Sequence, residues 1–228
     1  MTWAGAAEER MISAPIAVDV FAALAGARLR PEAPAWTDPT SNPPDLRGDH
    51  SIDLDPTPPA FDGPARPAAV LVPVVAHASD ATVLLTRRTA SLRDHSGQIA
   101  FPGGKVDLAD PSPLATALRE AEEEIGLDPA LVRPLGFLDA YLSGTGFLVT
   151  PVVGLVSPGF SLALNPAEVD DSFEVPLGFL MDPSRHELHA RAWKGRQRRY
   201  YAIPFGDRYI WGVTAGIIRN LYERLYVG

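Results

Sequence analysis

Apolar residues recur along this chain with two different periods. Residues 68–76 and 81–87 are runs of Ala, Val and Leu separated by His77-Ala78-Ser79-Asp80, the pattern of two strands joined in a hairpin. Residues 135–142 and 147–156 alternate around the turn Ser143-Gly144-Thr145-Gly146, and residues 186–193 and 199–203 flank a basic turn at 194–198. Other stretches follow the helical period. Ile16, Val20, Ala23 and Ala27 make the apolar stripe of a helix opened by Ser13 and Pro15 and running to about residue 30. Leu118, Ala121 and Ile125 stripe a second helix; Ile217, Ile218, Leu221 and Leu225 stripe a closing one, with Thr214 as its cap. A short strand is expected over 97–101 and a short helix over 176–181. Strands and hairpins around one central helix, closed by another, predict an α/β fold: an α/β/α sandwich on a mixed sheet.

The central helix carries charge that a core does not need. Glu120, Glu123 and Glu124 stand at i, i+3 and i+4, one face of a helix. Like charges at that spacing oppose helix formation by about 0.2–0.5 kcal/mol per pair. An acidic run alone most often marks a solvated face, but three features change the picture. Arg119 opens the run and can pair with Glu123 or orient a neighbouring carboxylate. Gly126 stands where a left-handed cap is expected. Gly103-Gly104, just upstream, let backbone approach a ligand closely. Clustered carboxylates next to exposed carbonyls are the oxygen ligands that hard divalent cations prefer.

Residues 119–127, Arg-Glu-Ala-Glu-Glu-Glu-Ile-Gly-Leu, match the pattern R-E-U-x-E-E-x-G-U (U aliphatic) at every defined position. They resemble the end of the Nudix signature. Upstream the resemblance is imperfect: Asp110 replaces the usual Glu, and the loop to Arg119 is one residue longer. A second motif adjoins it. Leu84, Leu85, Thr86, Arg88, Thr89, Arg93, Gly97, Phe101, Pro102, Gly103 and Gly104 are similar to the added signature of the coenzyme A pyrophosphatase branch of Nudix hydrolases. The two motifs span residues 84–127.

The resemblance implies a Nudix-type α/β/α sandwich and a metal-dependent pyrophosphohydrolase. Gly104 (through its carbonyl), Glu120, Glu123 and Glu124 would hold Mg²⁺ or Mn²⁺. Glu120 or Glu168 would act as general base, with Asp170, Asp171 and Glu174 near enough to Glu168 to compete for that assignment. Arg88 and Arg93 would recognise coenzyme A; Arg87, His95 and Phe101 lie in the same motif and complete the expected substrate-binding set. Guanidinium forks suit phosphate oxygens. Cleaving coenzyme A, or an acyl derivative, would give adenosine 3′,5′-bisphosphate and 4′-phosphopantetheine. Other diphosphates (NADH, ADP-ribose, nucleoside triphosphates) fit the same scaffold, because loops outside the motif choose the substrate. A non-catalytic ligand-binding module is the remaining alternative.

Composition bounds the rest. A net charge of −8 over 228 residues disfavours sequence-independent nucleic-acid binding. With no cysteine, disulfides, thiolate metal sites and thiol catalysis are excluded. No run of 18 apolar residues and no leader pattern occur, so no membrane partner and a cytoplasmic location are expected. Residues 31–67 hold 10 of the 23 prolines and read as an extended arm in which Arg47-Gly48-Asp49 is incidental. The domain division expected is an accessory helix and arm at 1–66, serving a homodimer contact or a pocket cover, followed by the hydrolase domain at 67–228. Trp211 is expected in the core.

Overall fold

A computed structural model describes residues 14–34, 46–53, 61, 63–90, 97–193 and 196–227, with only the backbone of residues 193 and 196. Helix α1 (Val18–Arg28) and the short β1 (Arg47–Gly48) precede β2 (Arg66–Ala76), β3 (Ala81–Arg88), β4 (Ile99–Ala100) and β5 (Gly103–Lys105). Next come α2 (Pro113–Ile125), β6 (Val132–Phe137), β7 (Tyr141–Leu142), β8 (Phe147–Val156), β9 (Val169–Pro176) and α3 (Leu177–Leu180). The antiparallel strands β10 (Glu187–Trp193), β11 (Arg196–Phe205) and β12 (Arg208–Trp211) lead into α4 (Val213–Tyr222), which continues as a π-turn through Val227.

The large sheet is mixed, as expected. Strand β2 pairs in parallel with β8 from Arg66↔Phe147 to Val75↔Val156. Its other partners, β3 and β5, run antiparallel, and β9 extends the sheet beyond β3. Two apolar layers sandwich it. Ala117, Ala121 and Ile125 of α2 bury against Leu71, Val75 and Val152 on one face. Phe21 and Ala25 of α1, with Ile217, Ile218 and Leu221 of α4, bury against Val72, Val74 and Val153 on the other. The sheet is central because its strands are apolar on both sides, and an exposed face would be costly.

Several sequence expectations are corrected in detail. Helix α1 starts at Val18 after an uncapped Ala17, and Ser13 lies outside the described residues. Its inward side is Phe21, Ala25 and Leu29; Val20 is 52% exposed, and Ala23 and Ala27 face solvent. The aromatic ring buries more area than the small residues of the other stripe, so it sets the rotation. Thr214 is inside α4, not its cap, and its hydroxyl donates to the Ile99 carbonyl at 3.0 Å. The strand expected over 135–142 breaks into β6 and β7 around Leu138–Ala140, where Asp139 is buried.

Asp139 ties the outer elements to the sheet. Its carboxylate lies 2.9 Å from Arg30, 3.6 Å from Arg47 and 3.8 Å from Arg224, one cation each from the end of α1, the arm and the C-terminal helix. The Arg47-Gly48-Asp49 tripeptide is therefore structural. Gly48 pairs with Leu142, and the half-buried Asp49 carboxylate accepts a 2.6 Å hydrogen bond from the Tyr141 hydroxyl.

Because Phe21 is fully buried in the layer shared with α4, Phe21→Ala is expected to cost about 3–5 kcal/mol in urea denaturation, within a single transition. A loss below about 1 kcal/mol would mean that α1 is only loosely applied to the sheet.

Candidate active site

Helix α2 is set locally by its own ends. Ser112 caps it, its hydroxyl accepting from the Ala115 N–H at 3.2 Å, and Pro113 takes the first-turn position where no N–H is needed. Gly126 closes it at φ 67°, ψ 24°, the left-handed cap expected from sequence. Between those ends the three glutamates do not share one environment. Glu124 is 2% exposed and turns toward the sheet, Glu120 is half-buried, and the Glu123 side chain is 56% exposed.

The glycine turn explains the difference. The Gly103 N–H donates to a Glu124 carboxylate oxygen at 3.1 Å, and Arg88 Nη1 lies 3.4 Å from the other oxygen. Burial, outweighing both partners, pushes the Glu124 carboxyl up to about 7. Glu120 lies flat against Gly104: a Cβ there would sit 2.5 Å from its carboxylate oxygen. Burial also raises Glu120, with Arg119 opposing and the charges of Glu123 and Glu168 adding to the rise. Glu168, in the loop before β9, also raises Glu124, so the three carboxylates feel one another.

Arg119 organises the exposed side. It lies 3.0 Å from Glu120 and 2.9 Å from Glu123, and donates to the Lys105 carbonyl at 3.2 Å. It also grips Asp110 through Nε at 3.0 Å and Nη2 at 2.9 Å. Asp110 further accepts from the Thr116 hydroxyl and the Asp107 N–H, and its carboxyl is held far below the usual range chiefly by Arg119. The residue that departs from the family pattern is thus a fully partnered anchor for the arginine.

Among the described residues, no three carboxylates or imidazoles are gathered into a ready-made cation cage. The donor chemistry nonetheless fits a hard divalent ion. Two carboxyls with raised pKa stand beside a third charge, and ionising them together needs a compensating cation.

On the other side of the glycine turn lies a cavity of about 920 Å³. Gly103, Gly104, Lys105, Arg88 and Phe101 form the wall nearest α2; Arg66 and Phe147 belong to the large sheet, and Arg191, Arg198, Tyr200 and Trp211 to the small one. Asp49 and His50 of the arm complete it. The structure thus brings Arg88, Phe101 and Gly104 together. Arg87 is exposed on β3 and does not line the cavity, whereas Arg93 and His95 lie outside the described residues. Trp211, expected in the core, lines the cavity. The small-sheet residues and His50 were missed because they lie far from both motifs in sequence.

The NUDIX domain family matches residues 65–193. A Photorhabdus laumondii protein described as an uncharacterized Nudix hydrolase NudL is 46% identical over 176 residues, covering 77% of this chain and 94% of that one. A Yersinia pestis protein of the same description is 42% identical over 167 residues, covering 73% and 83%. Among solved structures, a Caenorhabditis elegans Ap4A hydrolase complex superposes with TM-score 0.42 at 21% identity, over 48% of this chain and 80% of that one. The NUDIX domain of Shewanella oneidensis NrtR with ADP ribose gives 0.40 at 23%, over 51% and 75%. With the acidic helix, its glycine turn and a domain match spanning most of the large sheet, the chain belongs to the Nudix hydrolase family.

Proposed function

We propose that this Nudix hydrolase cleaves the diphosphate of coenzyme A or an acyl-coenzyme A, giving adenosine 3′,5′-bisphosphate and (acyl-)4′-phosphopantetheine. The observation that supports this reading most is Arg88. It lines the cavity, touches Glu124, and keeps a buried Nε–H without a hydrogen-bond partner among the described residues. A diphosphate oxygen would satisfy that donor while standing next to the acids. The cavity volume suits a cofactor-sized ligand.

Gly104, Glu120, Glu123 and Glu124 would hold Mg²⁺ or Mn²⁺. Such an ion neutralises diphosphate oxygens and makes a nearby water more acidic. The chain supplies the rest. Arg88 and Lys105 bind phosphate oxygens, and Arg93 and His95 complete the substrate-binding motif. Arg119 positions Glu120 and Glu123. Glu168, with Asn165 Nδ2 3.3 Å from its carboxylate, takes the proton from the attacking water as one phosphorus–oxygen bond forms and the anhydride bond breaks.

With Mg²⁺ or Mn²⁺ present, kcat/KM should be highest for coenzyme A in a panel that includes NADH, ADP-ribose and nucleoside triphosphates. Higher turnover of any other member would replace coenzyme A as the substrate. Glu168→Gln should lower kcat by about 10²–10⁴-fold with KM nearly unchanged; wild-type kcat would exclude Glu168 as the base. The raised Glu124 pKa gives a pH dependence with a definite sign. Between the ordinary value of 4.5 and about 7, the folded protein keeps a proton that the unfolded chain releases. The metal-free protein should therefore lose stability as pH rises through that interval, while metal affinity increases. Urea midpoints across the interval should flatten in Glu124→Gln; an unchanged slope would assign the titration elsewhere.

A further inference from the structure

The small sheet β10–β12 has two unlike faces. Ile203 and Ile210 are buried in the layer shared with α4. On the opposite face the register sets Arg191 across from Arg198, His189 across from Tyr200, and Trp211 across from Ala202. Strand alternation puts Arg191, Arg198, Tyr200 and Trp211 on one side, and all four line the cavity.

Two cations directly opposite each other on a sheet face oppose pairing. The Asp49 carboxylate of the arm feels the charges of both, but among the described residues the arm forms a direct ion pair only with Arg198. Asp53 lies 3.2 Å from Arg198 Nη1 and accepts the Arg199 N–H at 2.7 Å. Arg191 makes no ion pair with any described residue. Its guanidinium lies 4.9 Å from the Trp211 ring centroid and 5.7 Å from that of Tyr200. Stacking of this kind limits the rotamers of a long side chain before any ligand arrives, and leaves the planar fork available for a bidentate acceptor. The glycine turn belongs to the large sheet and the acids to α2, so these two arginines reach the cavity from a different wall.

We propose that Arg191 and Arg198, backed by Trp211 and Tyr200, form a second anion subsite for a phosphate monoester that the substrate carries apart from its diphosphate. This rests on the reading of the cavity as a diphosphate hydrolase site and specifies it further. In coenzyme A the group is the 3′-phosphate of the adenosine half. The subsite would make that phosphate a criterion of substrate choice.

Affinities for adenosine 3′,5′-bisphosphate and adenosine 5′-monophosphate, measured by calorimetry on the full chain, test the subsite. The wild-type protein is expected to bind the bisphosphate at least about tenfold more tightly, as a charge-assisted bidentate contact would give. Arg191→Gln should erase the difference by weakening bisphosphate binding alone, and Arg191→Lys should restore only part of it. Equal affinities in the wild-type protein, or a preference that survives Arg191→Gln, would overturn the subsite. Coenzyme A hydrolysis is followed in parallel. Its absence would overturn the proposed reaction, leaving the two affinities to decide the subsite on their own.

Discussion

One close approach constrains the whole centre: the backbone at Gly103-Gly104 lies against the carboxylates of Glu124 and Glu120. The Gly103 N–H holds Glu124, and Gly104 leaves room for Glu120 only because it has no Cβ. Strand β5 must stay paired with β2 to keep that backbone in place, with Gly103 opposite Val70 and Gly104 opposite Ala69. Helix α2 must keep its rotation, fixed by Ala117, Ala121 and Ile125 in the core. A shift of either element would expose Glu124 to water and remove the burial that raises its pKa.

The same turn is the boundary between two electrostatic regions. Behind it stand acids whose ionisation is mutually unfavourable. In front stands a cavity lined by Arg66, Arg88, Lys105, Arg191 and Arg198, in a chain whose net charge is −8. The cationic wall thus runs against the sign of the whole molecule, which focuses small anions at one place. Arg119 keeps the acidic side from flying apart, and Asp110 keeps Arg119 aimed.

Much of the fold could be read from local pattern. The hairpin of β2 and β3 and the Gly126 terminus of α2 follow from short-range rules, and they appear as expected. The acidic motif also pointed to the candidate centre. The pattern did not reveal that Glu124 is buried while Glu123 is exposed, because a helical wheel gives relative angle but not where the core lies. It could not separate Phe21 from Val20 as the anchor of α1 for the same reason. The small-sheet wall of the cavity was illegible for a different cause. Arg191, Arg198 and Trp211 meet only through strand register, and nothing in their spacing announces a shared face. Asp49 and His50 join the wall from an arm whose composition predicts no regular structure at all.

If the acidic helix and the basic cavity act on one ligand across Gly103-Gly104, metal and diphosphate must bind cooperatively. Electron paramagnetic resonance can measure Mn²⁺ affinity with and without a methylene-bridged, non-hydrolysable diphosphate nucleotide. The account predicts that the diphosphate tightens Mn²⁺ binding by about 5–150-fold, and that Mn²⁺ tightens the diphosphate by the same factor. Independent binding of the two would contradict it.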